Sequence, residues 1–144
     1  MVNDPAWIQH IGDRNINTIA DAEKYLEKKI IPSYQELGFG FYIVRLKKEK
    51  TPIGMCGLVK RNWMQYVDIG YAFLPNFRGK GYALEAGKAT IKHAKENLQI
   101  SKLAAITSVN NNKSSKLLER LGLEFDRLIT HPDEAEKCKL YLEK

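Results

Sequence analysis

The chain has little of what would commit it to metal, redox or membrane chemistry. Only two cysteines occur, Cys56 inside an apolar stretch and Cys138 near the C-terminus, with no CxxC pair. The three histidines, His10, His93 and His131, are scattered, and none stands at metal-ligand spacing from a cysteine. This excludes a disulfide framework and a sequence-evident zinc site. Both thiols are expected to be buried, reduced side chains suited to a reducing compartment, and no metal is expected. No apolar run approaches the ~20 residues needed to cross a bilayer, so no membrane partner is expected. MVNDPAWIQH lacks a basic region followed by an apolar block, so no secretory signal is read and the cytoplasm is the expected location. Linkers, repeats and low-complexity tracts are also missing. A chain of 144 residues with 44% hydrophobic content reads as one domain, 1–144.

What is present in excess is positive charge, a formal +6 at pH 7. The lysines are spread through KKEK, LEKK, KHAKE and SSKLLER rather than gathered on one reading element, so no nucleic-acid partner is expected. Along the chain, Thr18 and Asp21 form a capping-box pattern, and Ile19, Ala22, Leu26 and Ile30 recur at helical spacing. Pro32 is expected to divide this helix and Gly38 to end it. Strands are expected over 41–46, 52–59, 65–74, 103–109, 124–130 and 139–142, with helices over 82–98 and 116–121. Early helices, an antiparallel meander and then strand, helix, strand predict an α+β fold with a mixed, mostly antiparallel sheet flanked by helices on both faces.

The most informative stretch is Asp68 to Ala86, DIGYAFLPNFRGKGYALEA. An apolar strand runs through a glycine-rich turn into a helix read as having no acidic residue in its first turn. Unpaired N–H groups at a helix N-terminus attract anions, and glycines let an anion approach without meeting a Cβ. A Walker A loop would need GxxxxGK followed by Ser or Thr, and a dinucleotide fingerprint would need GxGxxG. Neither fits, because Gly79 and Gly81 are followed by Tyr82, Ala83 and Leu84, with no third glycine until Gly87.

The spacing Arg78, two residues, Gly81, one residue, Ala83 resembles the acyl-CoA loop of the GCN5-related N-acetyltransferases. IGYAFLPNFRGKGYALEA is most similar to the branch containing the ribosomal-protein N-terminal acetyltransferases. A second, independent segment agrees with this: a strand to Val109, the motif Asn112, Lys113, Ser114, Ser115, and a short helix closed by Gly122 and Leu123. The resemblance covers the chain from about Trp7 onward. Relatives begin with a first strand and the start of a first helix that are not found here, so the domain reads as N-terminally short with that strand missing. An uncovered strand edge invites pairing, which places a homodimer among the expected partners.

The resemblance implies N-acetyl transfer from acetyl-CoA, without a metal, to an amine that is either a protein N-terminus or a small molecule. Phe73 and Leu74 at the end of the strand, with Arg78, Gly79, Lys80, Gly81, Tyr82, Ala83, Asn112 and Ser115, are the implied coenzyme contacts. Lys113 and Lys116 are further cations for its phosphates. Ser115 is the implied proton donor to the departing thiolate, beside the plainer reading of a first-turn serine bonded to backbone. Asn112 reads equally as a helix N-cap. Many relatives in the wider superfamily carry a tyrosine acid where this chain has Leu118. Asp68 is the first candidate for general base, flanked by Val67 and Ile69, which would raise its pKa; an exposed acid at a strand start is the bland alternative. Asp133, Glu134 or a water are the other candidates. Trp63, Phe39, Phe41 and Tyr34 are candidates for the acceptor cleft. An alternative function is a non-catalytic acyl-CoA-binding or regulatory module.

Overall fold

Thr18 opens the first long helical segment as its sequence predicts. Its hydroxyl accepts from the Asp21 amide at 3.1 Å, and the Asp21 carboxylate accepts from the Thr18 amide at 3.0 Å. The computed structural model describes all 144 residues. A short helix α1 (Pro5–His10) precedes this cap, itself capped by Asp4. Helix α2 (Ile19–Tyr25) runs through a π turn (Leu26–Ile30) directly into α3 (Ile31–Leu37). Pro32 therefore does not divide the helix. Proline has no N–H to give, and the chain absorbs the defect by widening one turn, with the Ile31 amide bonding Leu26 O five residues back. Gly38 ends α3 at φ 76°.

The strands are β1 (Phe41–Arg45), β2 (Pro52–Val59), β3 (Val67–Phe73), β4 (Leu103–Ser108), β5 (Leu123–Thr130) and β6 (Lys137–Glu143). They form one sheet in the order β1-β2-β3-β4-β6-β5, antiparallel throughout except between β3 and β4. Helix α4 (Tyr82–Glu96) makes the crossover that this parallel pair requires, and α5 (Asn112–Arg120) joins β4 to β5. No strand precedes β1, which has β2 as its single neighbour. At Gly57 the backbones of β1 and β2 press together, and a Cβ there would lie 2.2 Å from Gly40 O, so only glycine fits.

One face of the sheet packs Leu58, Ile69, Leu103, Ala105 and Tyr141 against Ala94 of α4 and Leu118 of α5. Fully burying each Leu or Ile contributes about 1.5–3 kcal/mol. The other face carries Met64, Ala104 and Leu140 with Trp63, Tyr66 and Leu142. Helix α1 lies on this second side, where His10 Nδ1 meets Ser108 Oγ at 3.0 Å. Phe39, expected in an acceptor cleft, belongs instead to the first core.

Candidate active site

Strands β3 and β4 are paired only at Val67↔Leu103 and Asp68↔Ala104, although β3 continues to Phe73 and β4 to Ser108. Beyond that point they separate and leave a wedge. The Leu74 amide bonds Ile53 O of β2, so by strand alternation the backbone groups of Tyr71 and Phe73 turn toward the wedge. Leu74 itself is not free. Its N–H goes to Ile53 and its C=O accepts from Phe77, so only its side chain is left for a ligand.

Asp68 sits at the apex of the wedge and is 2% exposed, which overturns the exposed-acid alternative. Its Oδ2 accepts from Arg61 Nε at 2.8 Å, while Oδ1 is buried with no hydrogen-bond partner. Burial pushes its pKa from 3.8 up to about 6; the Arg61 guanidinium and, to a smaller degree, the Ile106 backbone amide across the wedge oppose that shift. Arg61 in turn lies 5.8 Å over the Trp63 ring, and Trp63 meets His131 edge to face at 5.1 Å. Ala104, the register partner of Asp68, lines a pocket of about 370 Å³ with Trp63, Tyr66, Ile129, Leu140 and Leu142. Trp63 thus lines this pocket. Tyr34 donates its hydroxyl to Phe41 O, and the Phe41 ring packs above Gly70, so both belong to the packing around β1. Asp133 and Glu134 lie exposed in the β5–β6 connection.

On the opposite side of the wedge stands the first turn of α5. Its cap is Asn111, whose Oδ1 accepts from the Ser114 amide at 3.1 Å; Asn112 is the first helical residue and is exposed, correcting its expected capping role. The Tyr71 hydroxyl lies 2.8 Å from Ser114 Oγ. Burial raises the Tyr71 pKa to about 12 against the pull of that hydrogen bond, so this phenol stays neutral at physiological pH. Ser115 is buried, at 7% exposed, and its hydroxyl accepts from Lys139 Nζ at 3.5 Å.

At the open end of the wedge, Gly79 and Gly81 have φ of 71° and 86°, and a Cβ built on either would meet nothing within 4 Å. Backbone of this hand favours glycine, and the empty space is what an approaching anion needs. Gly81 is the N-cap of α4 and gives no side-chain cap, so the Tyr82 and Ala83 amides at the helix start have no side-chain acceptor. These features fit a pyrophosphate. Two details differ from expectation. Glu85 falls within the first turn, though its side chain is exposed. Arg78 is already engaged, donating from Nε to Phe73 O at 2.9 Å and from Nη2 to Asp4 Oδ2 at 2.7 Å, so its charge is partly neutralised. Lys80 lies 5.8 Å over the Phe77 ring and, like Lys113 and Lys116, forms no ion pair.

Comparison with known proteins decides the family. The family model described as an acetyltransferase (GNAT) domain matches residues 1–124. The chain belongs to the GNAT family. This GNAT domain is 30% identical over 98 residues to the uncharacterised protein YkkB of Bacillus subtilis (strain 168), a match covering 65% of the chain and 57% of YkkB. The chain thus spans a little over half the length of that relative. It is similar in fold to an acetyltransferase from Agrobacterium tumefaciens, with a TM-score of 0.79, 22% identity and coverage of 98% of this chain and 79% of that one. It is also similar to the ribosomal-protein-S5-alanine acetyltransferase of Vibrio fischeri, with a TM-score of 0.71, 19% identity and coverage of 86% and 70%. No helix of the GNAT domain is long and apolar enough to cross a membrane.

Sequence reasoning missed Arg61, Tyr71, Asn111 and Lys139. Arg61 and Tyr71 lie close to Asp68 in sequence, so a search for basic and phenolic neighbours would have found them. Lys139 carried no local signal, because only the pairing of β6 with β4 brings it beneath α5. Of the two cysteines, Cys56 is buried as expected, while Cys138 is only half-buried.

Proposed function

We propose that this GNAT domain transfers an acetyl group from acetyl-CoA to a primary amine, on a protein N-terminus or a small molecule, by direct attack in a ternary complex. The observation that carries the reading is the wedge. It has a buried carboxylate with one unpartnered oxygen at its apex and an uncapped, glycine-opened helix start at its mouth. Gly79, Gly81 and the Tyr82 and Ala83 amides would hold the pyrophosphate, with Lys80, Lys113 and Lys116 near enough in sequence to serve the phosphates. Phe73 and the rest of β3 would hold the pantetheine arm. Backbone amides of β3 that turn toward the wedge serve as donors to the developing oxyanion.

Asp68 is the proposed base. An acceptor amine with a pKa near ~10 must lose a proton on attack, and a carboxylate titrating at about 6 is largely ionised at neutral pH yet basic enough to take it. The pocket beside Trp63 and Ala104 is the proposed entry for the acceptor. Ser115 is the proposed acid. Its plainer role is weakened by its bonding, since the Ser115 hydroxyl makes no bond to backbone and its one partner is Lys139. Positioning of the two reactants remains the largest contribution.

The test is a thermal shift with acetyl-CoA followed by thiol release across an amine panel. Acetyl-CoA at ~100 times its dissociation constant should stabilise the fold by roughly 2.7 kcal/mol. Acceptor-dependent thiol release supports the transferase. Stabilisation with no release on a broad panel favours the non-catalytic binding module.

A further inference from the structure

Helix α5 begins in an arrangement that is electrostatically unfavourable for a helix standing alone. The N-terminus of a helix carries the positive end of its dipole and is stabilised by acidic residues. The first turn of α5 has none, and Lys113 and Lys116 flank it instead. A third ammonium arrives from the sheet, where Lys139 of β6, opposite Thr107 of β4, extends to Ser115 Oγ. Lys139 is half-buried and forms no ion pair with any carboxylate. Three cations around a positive helix end cost stability unless an anion is delivered there.

The direction of the hydrogen bond is informative. An ammonium donates and cannot accept. The Ser115 oxygen is therefore the acceptor from Lys139, and its own O–H is left to donate to something else. No protein group takes that proton, because Lys139 is the single partner of the Ser115 hydroxyl. The neighbouring Ser114 is tied to Tyr71 and to the Asn111 cap, which fixes the turn that carries Ser115.

We propose that Lys139 is a positioning residue that acts through Ser115, holding the serine oxygen and resupplying the proton that Ser115 gives to the departing thiolate. The proposal rests on the acetyl-transfer reading above. As the carbon–sulfur bond breaks, its electron pair stays on sulfur, the Ser115 O–H proton passes to sulfur, and a Lys139 proton passes to the serine oxygen. The thiol departs neutral, and the Lys139 amine recovers a proton from solvent, which its half-exposed side chain can reach. The proton lost by the attacking amine goes to Asp68, so the two sides of the wedge handle separate protons.

The test compares Lys139→Met, Lys139→Arg, Ser115→Ala and the Lys139→Met/Ser115→Ala double variant, each checked for a wild-type melting transition. Lys139→Met should lower kcat about tenfold, below the usual ~10²–10⁴ of a general acid because it acts at one remove, while KM for acetyl-CoA changes less than about twofold. Lys139→Arg should restore most of kcat, and Lys139→Met should add nothing in the Ser115→Ala background. A readout independent of turnover is the ultraviolet thiolate absorbance of bound CoA, measured against desulfo-CoA to cancel Cys56 and Cys138. The bound thiol should ionise at lower pH than free CoA in the wild type, and Lys139→Met should move it back. An unchanged kcat, an effect confined to KM, multiplicative losses in the double variant, or an unmoved thiol titration would overturn the proposal. If the wild type instead releases no thiol with any amine, the transferase reading fails, and the thiol titration still decides the role of Lys139.

Discussion

Asp68→Asn should make the protein more stable and less active at neutral pH, and the two effects should have one cause. Asp68 is buried with its Oδ1 unpartnered, and its pKa in the fold is about 6 against an ordinary 3.8. For a carboxyl raised in the folded state, the protonated form is favoured by folding. Stability from this group is fully present below the ordinary pKa and is lost as pH rises through the folded one. The rise from 3.8 to about 6 corresponds to about 3 kcal/mol. Asparagine fills the same volume, still accepts from Arg61 through its amide oxygen, and carries no charge to desolvate. The stability of Asp68→Asn relative to wild type should therefore climb by about 2–3 kcal/mol between about pH 4 and pH 7.5. Every other carboxylate is common to both proteins and cancels in the difference. Urea unfolding followed by circular dichroism, at half-unit pH steps, measures this directly. At pH 7.5, where Asp68 is ionised in the wild type, kcat/KM of Asp68→Asn should be lower by ~10²–10⁴, the usual loss for a general base. A stability difference that is flat with pH, or a variant less stable than wild type at pH 7.5, would refute the reasoning.

Other outcomes follow from neighbouring residues. Arg61→Met removes the cation that opposes the rise in the Asp68 pKa, so the acid limb of the kcat/KM profile should move above its position near pH 6; an unmoved limb would show that Asp68 is not the titrating base. Gly81→Val places a β-branched residue at φ 86°, costing at least ~1–2 kcal/mol, and its Cβ enters the space left for the anion, so the acetyl-CoA thermal shift should vanish. Intact coenzyme affinity in that variant would remove the phosphate-loop assignment. Asn111→Ala should cost ~1 kcal/mol in chemical denaturation through loss of the α5 cap, whereas Asn112→Ala should stay within ~0.5 kcal/mol; the reverse order would contradict the capping geometry.

What the sequence made legible was local. The Thr18 box, the Gly38 stop, the strand from Pro52 and the glycine turn before α4 each depend on neighbours within a few residues, and each forms as read. Pro32 misled because a helix can absorb proline by widening a turn, which no local pattern announces. Asn111 and Asn112 misled because either could cap by type, and only the backbone shows which amide the side chain meets. The glycine turn before α4 was visible in spacing alone. Asp68 and Ser115 were named from the sequence, but the approach of Lys139 to Ser115 was not, because it depends on how distant strands register.

The proposed transfer in the wedge joins an acetyl thioester to an amine. Incubating the protein with acetyl-CoA and a panel of peptides and small amines, and quantifying acetylated product and free CoA by mass spectrometry, tests it directly. At least one amine should be acetylated in equal amount to the CoA released, with both lost in Asp68→Asn. Tight acetyl-CoA binding with no product from any amine would contradict it.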